Sequence, residues 1–157
     1  MLKVDTHSSH ETWQLGHLMG TLAQGGEILC LEGELGAGKT TLIQGLAAGL
    51  GVGERITSPS FTLVHRHQGR LHLRHIDLYR ISPDQVPELG LEEMLAEPGL
   101  TAIEWAEHLP GGIITDCLVI HMEHLPDEQS RRLALRARGP AAARFLRRLR
   151  QARAQEG

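Results

Sequence analysis

The segment GELGAGKTT at residues 33–41 places glycines, a lysine and hydroxyl groups in an order that suits phosphate binding. It satisfies the pattern G-x-x-x-x-G-K-[ST], in which glycines let backbone N–H groups converge on phosphate oxygens at the positive end of a helix. Lys39 would reach the β- and γ-phosphates, Thr40 would place its hydroxyl on Mg²⁺, and Thr41 would lie near the α-phosphate. The predicted phosphate-binding residues are Gly33, Glu34, Leu35, Gly36, Ala37, Gly38, Lys39, Thr40 and Thr41.

The composition of the chain bears on which nucleotide this loop binds. Proteins that select guanine normally read the base with an Asn/Thr-Lys-x-Asp element. The chain has no asparagine, and neither of its two lysines, Lys3 and Lys39, follows a threonine in such an element. By analogy with that class of protein, the sequence favours ATP over GTP.

Two carboxylates are candidates for binding the metal and for catalysis. Asp77 lies near the end of the strand-like run LHLRHIDLY, where alternation places it on one face with His75 and Tyr79. Glu104 directly follows the apolar run LTAI. Side chains at the carboxyl ends of strands line the ligand crevice of such sheets. The candidate catalytic residues are Lys39, Asp77 and Glu104, and the candidate metal ligands are Thr40, Asp77 and Glu104.

Other interpretations of these residues stay open. Asp77 would also suit a surface acid paired with Arg80, and Glu104 would also suit the start of a helix. A zinc site formed by histidines is less favoured, because no cysteine lies near them and only strand alternation brings them together. We expect His75 to support the site or to contact the nucleotide. The histidines concerned are His65, His67, His72 and His75.

The elements that must position these residues follow from apolar periodicity and from glycine and proline positions. A strand precedes the glycine loop and a helix follows it, as phosphate binding requires. The predicted helices cover residues 9–24, 40–50, 83–95 (with a break at Pro87) and 141–154. The predicted strands cover 27–32, 61–67, 71–79, 100–103, 117–122 and 131–138, the second and third forming a hairpin around Gln68-Gly69. Helices alternate with strands but a hairpin interrupts them, which predicts an α/β fold with a mixed sheet.

The bulk composition is that of an ordinary globular protein. The chain has 157 residues, of which 41 % are hydrophobic and 22 % charged, and it holds no apolar run near the roughly 18 residues of a membrane span. Cys30 and Cys117 each lie in an apolar run, which favours buried free thiols and a cytoplasmic location without membrane contact. The net charge of −3 divides unevenly, since the last 27 residues hold nine arginines and one glutamate.

Four motifs together resemble the TsaE family, the small bacterial ATPases of tRNA threonylcarbamoyladenosine synthesis. They occur in the order and spacing of that family, and the resemblance covers about residues 8–125. The motifs are GELGAGKTT at 33–41, SPSFTLV at 58–64, HIDLYR at 75–80 and IEW at 103–105.

The resemblance implies roles for individual residues. The loop would wrap the phosphates, Thr40 and Glu104 would hold Mg²⁺, and Asp77 would lie near the γ-phosphate and be needed for hydrolysis. The segment 58–62 would act as a nucleotide-sensing switch, although this chain has Ser60 where the family typically has threonine. The remaining residues implied to bind nucleotide are Ser9 and Thr12, near the adenine, with Trp105 and Glu107.

The resemblance also implies a fold and a task. The fold would be a single-domain P-loop NTPase-like three-layer α/β fold over residues 1–157, with a basic helix at about 140–154. ATP hydrolysis, slow in the isolated chain, would reset the TsaB–TsaD complex during threonylcarbamoyl modification of adenosine 37, in tRNAs that read codons beginning with A. The alternatives are a small-molecule kinase and a nucleotide-dependent binding module without meaningful hydrolysis.

The arginine-rich end has two interpretations. Its arginines would contact tRNA phosphates, weakly or through a partner complex, or they would form a solvated helix face packed through apolar residues. The arginines are Arg131, Arg132, Arg136, Arg138, Arg144, Arg147, Arg148, Arg150 and Arg153.

Overall fold

A seven-stranded mixed sheet forms the centre of the protein. The computed structural model describes residues 1–34, 36–54, 56 and 63–156. The strands, in the order β1-β7-β6-β2-β5-β4-β3 across the sheet, are β1 (Leu2–Thr6), β2 (Ile28–Gly33), β3 (Val64–Gln68), β4 (His72–Asp77), β5 (Leu100–Glu104), β6 (Cys117–His124) and β7 (Arg131–Arg138).

The middle of this sheet is parallel and its edges are antiparallel. Strands β6, β2, β5 and β4 run in one direction, whereas β1, β7 and β3 pair antiparallel with their neighbours. The predicted α/β class and mixed sheet are therefore confirmed. Because β4 and β5 are parallel and in register, Asp77 and Glu104 are Cα partners at the same edge of the sheet.

The described residues form four α-helices and two 3-10 helices. They are α1 (Ser9–Leu22), α2 (Lys39–Gly49), α3 (Leu91–Ala96) and α4 (Pro140–Glu156), with 3-10 helices at Pro83–Leu89 and Ala106–His108. The Ser8 side chain caps α1 by accepting a hydrogen bond from the backbone N–H of Glu11 at 3.1 Å. None of the helices described is long and apolar enough to cross a bilayer.

The helices cover the sheet on two faces, which gives the expected three layers. On one face α1, α2 and α4 bury a large apolar cluster that includes Leu31, Leu46 and Phe145. On the other face the 3-10 helices and α3 bury a smaller cluster with Val86 and Ile103. Cys30 and Cys117 lie buried in this second cluster as free thiols, as predicted.

Helices α1 and α2 pack at backbone contact. A Cβ added at Gly45 would overlap the carbonyl oxygen of Trp13, and one added at Gly16 would overlap the carbonyl oxygen of Leu42. Two further glycines, Gly20 and Gly49, face each other in the same contact. These four glycines therefore set the distance between α1 and α2, the helix that follows the phosphate loop.

The structure differs from the sequence prediction in three places. Residues 2–6 form an edge strand that apolar periodicity did not reveal. The predicted helix at 83–95 is two helices separated at Gly90, whose φ of 67° ends the first of them, and Pro87 lies inside the 3-10 helix and does not break it. The strand predicted at 71–79 ends at Asp77, so Tyr79 leaves the sheet and is 51 % exposed. The proposed switch at 58–62 lies outside the described residues.

Candidate nucleotide-binding site

The glycine loop joins the end of β2 to the start of α2, so the predicted order of strand, loop and helix is confirmed. Gly36 and Gly38 adopt left-handed backbone conformations, with φ of 78° and 96°. Gly38 is the N-cap of α2, and Thr40 and Thr41 lie in its first turn. An αL glycine followed by a helix N-terminus directs backbone N–H groups into one concavity, which is the geometry of an anion site.

The Lys39 side chain is held against its own loop. Its Nζ donates hydrogen bonds to the carbonyl oxygens of Gly33 at 2.6 Å and Glu34 at 3.4 Å. The same ammonium lies 3.7 Å from the centroid of the Trp105 ring, a cation–π contact. Trp105 has a φ of 59°, the one positive value at a non-glycine position among the described residues, and such conformations are concentrated at functional sites.

Burial and three carboxylates influence the pKa of Lys39 in opposite directions. Burial lowers the pKa of the ammonium from its ordinary value, while the negative charges of Glu107, Glu104 and Asp77 act in the opposite direction. Glu107 is not among the residues that line the cavity of Lys39, Asp77 and Glu104, and its Oε2 accepts a hydrogen bond from the Gly33 N–H at 3.2 Å. Glu107 thus positions the loop backbone.

Thr40 and Glu104, which the resemblance implies as Mg²⁺ ligands, lie beside each other in the structure. The Thr40 hydroxyl lies 3.4 Å from Oε1 of Glu104, and the Glu104 side chain is buried, with 3 % of the residue exposed. Oε2 of Glu104 lies 2.5 Å from Nε2 of His75, which is fully buried. Glu104 is the last residue of β5 and therefore does not begin a helix, so that alternative is excluded.

Asp77 completes this group from the neighbouring strand. It lines one cavity with Lys39, Thr40, Glu104 and Trp105. Its Oδ1 accepts a hydrogen bond from the backbone N–H of Tyr79 at 2.9 Å, which fixes the carboxylate where the chain turns out of β4.

Two adjoining cavities share the glycine loop. The first, of about 330 Å³, holds Lys39 and the carboxylates. The second, of about 300 Å³, is lined by the predicted residues Ser9 and Thr12 at the start of α1. A third cavity, of about 730 Å³, lies between β1, α1 and the end of α4, and no loop residue is among those that line it. The loop residues common to the first two cavities are Gly36, Gly38 and Thr41.

Sequence reasoning missed three residues of the second cavity. Glu128, Gln129 and Arg131 come from the connection between β6 and β7 and from the first residue of β7. Nη2 of Arg131 donates to the carbonyl oxygen of Gly36 at 3.4 Å. No spacing rule links two residues 95 positions apart; they meet because β6 pairs with β2 and brings its hairpin beside the loop.

The donor set suits Mg²⁺ and phosphate. Thr40, Glu104 and Asp77 offer hydroxyl and carboxylate oxygens, the ligands that Mg²⁺ prefers, and Mg²⁺ usually keeps several waters beside one or two carboxylates. The proposed set has only two carboxylates beside the hydroxyl of Thr40. In the part of the chain that the structure describes, no cluster of three or more His, Cys, Asp or Glu side chains is arranged to hold a metal ion. His65 and His67 contact each other, with ring centroids 6.1 Å apart, whereas His75 pairs with Glu104.

Comparisons with known proteins identify the family and agree with this fold. The profile of the family "Threonylcarbamoyl adenosine biosynthesis protein TsaE" matches residues 6–133. Two proteins named tRNA threonylcarbamoyladenosine biosynthesis protein TsaE are similar to the chain. The one from Nostoc sp. is 45 % identical over 117 residues, covering 70 % of this chain and 71 % of that protein. The one from Bacillus subtilis is 36 % identical over 129 residues, covering 82 % and 81 %.

A solved structure extends the agreement to nearly the whole chain. The crystal structure of Bacillus subtilis YdiB superposes with a TM-score of 0.79 at 34 % identity, covering 96 % of this chain and 95 % of that one. With a family profile that spans most of its length and relatives above 30 % identity, the chain belongs to the TsaE family.

Proposed function

We propose that the protein is a Mg²⁺-dependent ATPase that acts in the threonylcarbamoyl modification of adenosine 37 of tRNA, in the cytoplasm, by acting on the TsaB–TsaD complex. The relatives' names support the pathway. The observation that carries the ATPase proposal is the convergence of Lys39, Thr40, Asp77 and Glu104 on one cavity at the N-terminus of α2.

Each residue has a separate task in this proposal. The loop N–H groups and the N-terminus of α2 bind the phosphates, and Lys39 stabilises the negative charge that spreads over the transferred phosphoryl oxygens. Thr40 and Glu104 would hold Mg²⁺, with Asp77 beside them. When bound, Mg²⁺ neutralises phosphate charge. Asp77, which lines the same cavity, would orient the attacking water.

The two cavities suggest how ATP lies across the loop. The cavity with Lys39 and the carboxylates would take the β- and γ-phosphates. The cavity with Ser9, Thr12 and Arg131 would take the nucleoside. The shared residues around Gly38 and Thr41 would then lie beside the α-phosphate, since they separate the two spaces.

A binding experiment tests the phosphate site. We expect Lys39→Ala to weaken ATP binding by about 10–100-fold, because a charged hydrogen bond contributes about 1.5–3 kcal/mol. Lys3→Ala is the matched control, since Lys3 is the other lysine of the chain and is exposed on the edge strand β1. The measurement is calorimetric titration with a non-hydrolysable ATP analogue. Wild-type affinity in Lys39→Ala would refute the phosphate site.

A turnover experiment separates the competing functions. Asp77→Asn and Glu104→Gln should keep ATP binding but lose hydrolysis and tRNA modification in an assay with TsaB, TsaD and tRNA. Stimulation of ATP turnover by metabolites and not by TsaB–TsaD would indicate a small-molecule kinase. Full modification by variants that bind ATP but no longer hydrolyse it would indicate a nucleotide-dependent binding module.

A further inference from the structure

His75 lies behind the proposed metal site and has no role in the mechanism above. It belongs to β4, two residues before Asp77, and is fully buried. Its Nε2 lies 2.5 Å from Oε2 of Glu104, which comes from the neighbouring strand β5. A buried imidazole and a buried carboxylate are both costly to place without partners, and each supplies the other's hydrogen bond.

The two oxygens of Glu104 have separate partners. Oε2 faces His75, while Oε1 lies 3.4 Å from the Thr40 hydroxyl, on the side of the cavity. The two oxygens are chemically equivalent, so a half-turn about the last side-chain bond restores the same contacts, whereas a smaller rotation breaks both of them. The hydrogen bond to His75 therefore fixes the plane of the carboxylate and the direction in which its second oxygen faces the cavity.

The hydrogen bonding of the imidazole is one-sided. A carboxylate oxygen accepts hydrogen bonds, so in this contact the N–H at Nε2 of His75 would be the donor. Nδ1 of His75 is buried without a hydrogen-bond partner among the described residues. The contact with Glu104 is therefore the polar contact that holds the ring, and no second partner competes for its orientation.

We propose that His75 is a positioning residue for the divalent cation. By holding Oε2 of Glu104 it keeps Oε1 directed at Thr40, so that this oxygen and the hydroxyl form a preorganised pair of ligands. This inference rests on the proposed function, because it assumes that Glu104 and Thr40 bind Mg²⁺. Groups that hydrogen-bond to metal ligands typically change metal affinity by about 10–100-fold when they are removed.

Two amide substitutions test the proposal. In His75→Gln the amide nitrogen can approach the position of Nε2 and donate to Glu104, whereas in His75→Asn the side chain is too short. We measure fluorescent ADP binding against MgCl₂ concentration and, separately, ADP binding in EDTA. His75→Asn should raise the half-saturating Mg²⁺ concentration by about 10–100-fold. His75→Gln should stay within about threefold of wild type, and ADP affinity in EDTA should not change.

His67 provides a matched control. It is also buried, and its Nδ1 lies 2.5 Å from a carboxylate oxygen of Glu54, away from the cavity. His67→Ala removes this contact and should change the free energy of unfolding but not the Mg²⁺ dependence. Equal Mg²⁺ dependence in wild type and His75→Asn would overturn the proposal, and so would an equal shift in the His67 variant.

A measurement on the unmutated protein covers the case in which the variants do not fold. With ¹⁵N-labelled histidine, addition of Mg²⁺ to the ADP complex should shift the Nε2 resonance of His75 and leave that of His67 in place. An unchanged His75 resonance, in a sample that binds Mg²⁺ and ADP, would overturn the positioning role alone. Absence of any Mg²⁺ or nucleotide binding by the wild type would instead overturn the proposed function.

Discussion

Arg131 and Arg132 are consecutive residues of β7 whose side chains have different partners. Arg131 reaches the carbonyl oxygen of Gly36 and lines the proposed nucleoside cavity. Arg132 forms a bidentate ion pair with Asp5 of β1, in which Nε donates to Oδ1 at 2.8 Å and Nη2 donates to Oδ2 at 2.9 Å. The alternation of a strand separates the two guanidinium groups, so one belongs to the site and the other to the sheet edge.

This pair gives a prediction with an internal control. Arg131→Ala should weaken ADP binding by about tenfold or more, since it removes a charged hydrogen-bond donor from the cavity. Arg132→Ala should leave ADP binding unchanged. Calorimetric titration of both variants checks this, and equal affinities in the two variants would show that Arg131 does not contact the nucleotide.

Single residues were predictable only where a local motif fixes their role. Lys39 and Thr40 follow from a nine-residue pattern whose geometry is set by its own glycines. His75 could be placed on a strand face, but its partner Glu104 comes 29 residues later and depends on which strands are neighbours. Arg131 could not be placed at all, because its contact with Gly36 depends on the crossover that brings β6 beside β2.

At the level of elements, the contact between α1 and α2 leads to a stability prediction. Gly45→Ala in the middle of a helix would normally stabilise by roughly 0.5–1 kcal/mol. Here the new Cβ would overlap the carbonyl oxygen of Trp13, and overpacking costs typically about 1–3 kcal/mol. We therefore expect a net loss of about 1–2 kcal/mol, measured as the free energy of unfolding in urea.

Gly111→Ala is the control for this substitution. Its Cβ would have no neighbour within 4 Å among the described residues, so stability should stay within about 0.5 kcal/mol of wild type. A stabilised Gly45→Ala protein would mean that α1 and α2 do not pack at backbone contact.

Elements were predictable where the apolar pattern is long or bounded by glycine. The helices at 9–24, 40–50 and 141–154 differ from α1, α2 and α4 by one or two residues at their ends. The edge strand β1 was missed because LKVDT carries two charges in five residues and has no clear apolar pattern. This strand is stabilised by its pairing with β7. Its assignment needs the partner strand, whose paired residues lie 125 or more positions away along the chain.

At the level of the whole molecule, the basic end divides into a buried and an exposed part. Phe145 and Leu149 of α4 are fully buried, so deleting residues after 139 would remove part of the core. Arg144 and Arg147 of the same helix are exposed. A test of tRNA contact should therefore change the charge of the helix and keep its apolar residues.

The corresponding prediction concerns salt dependence. We expect Arg144→Gln with Arg147→Gln to weaken tRNA binding and to reduce the slope of log K against log salt by about 1.5, as for two lost phosphate contacts. ATP binding should not change. Arg66→Gln with Arg80→Gln removes the same charge from the acidic part of the chain and should leave the slope unchanged. Identical slopes in both double variants would identify the arginines of α4 as a solvated face.

The glycine contact between α1 and α2 constrains how a nucleotide signal can leave the site. Ser9 and Thr12 begin one of these helices, and Lys39 and Thr40 begin the other. Because their main chains are in contact, α1 and α2 cannot move towards each other around ATP. They form a rigid pair, so under the proposed ATPase function the conformational change that signals hydrolysis to a partner arises outside α1 and α2.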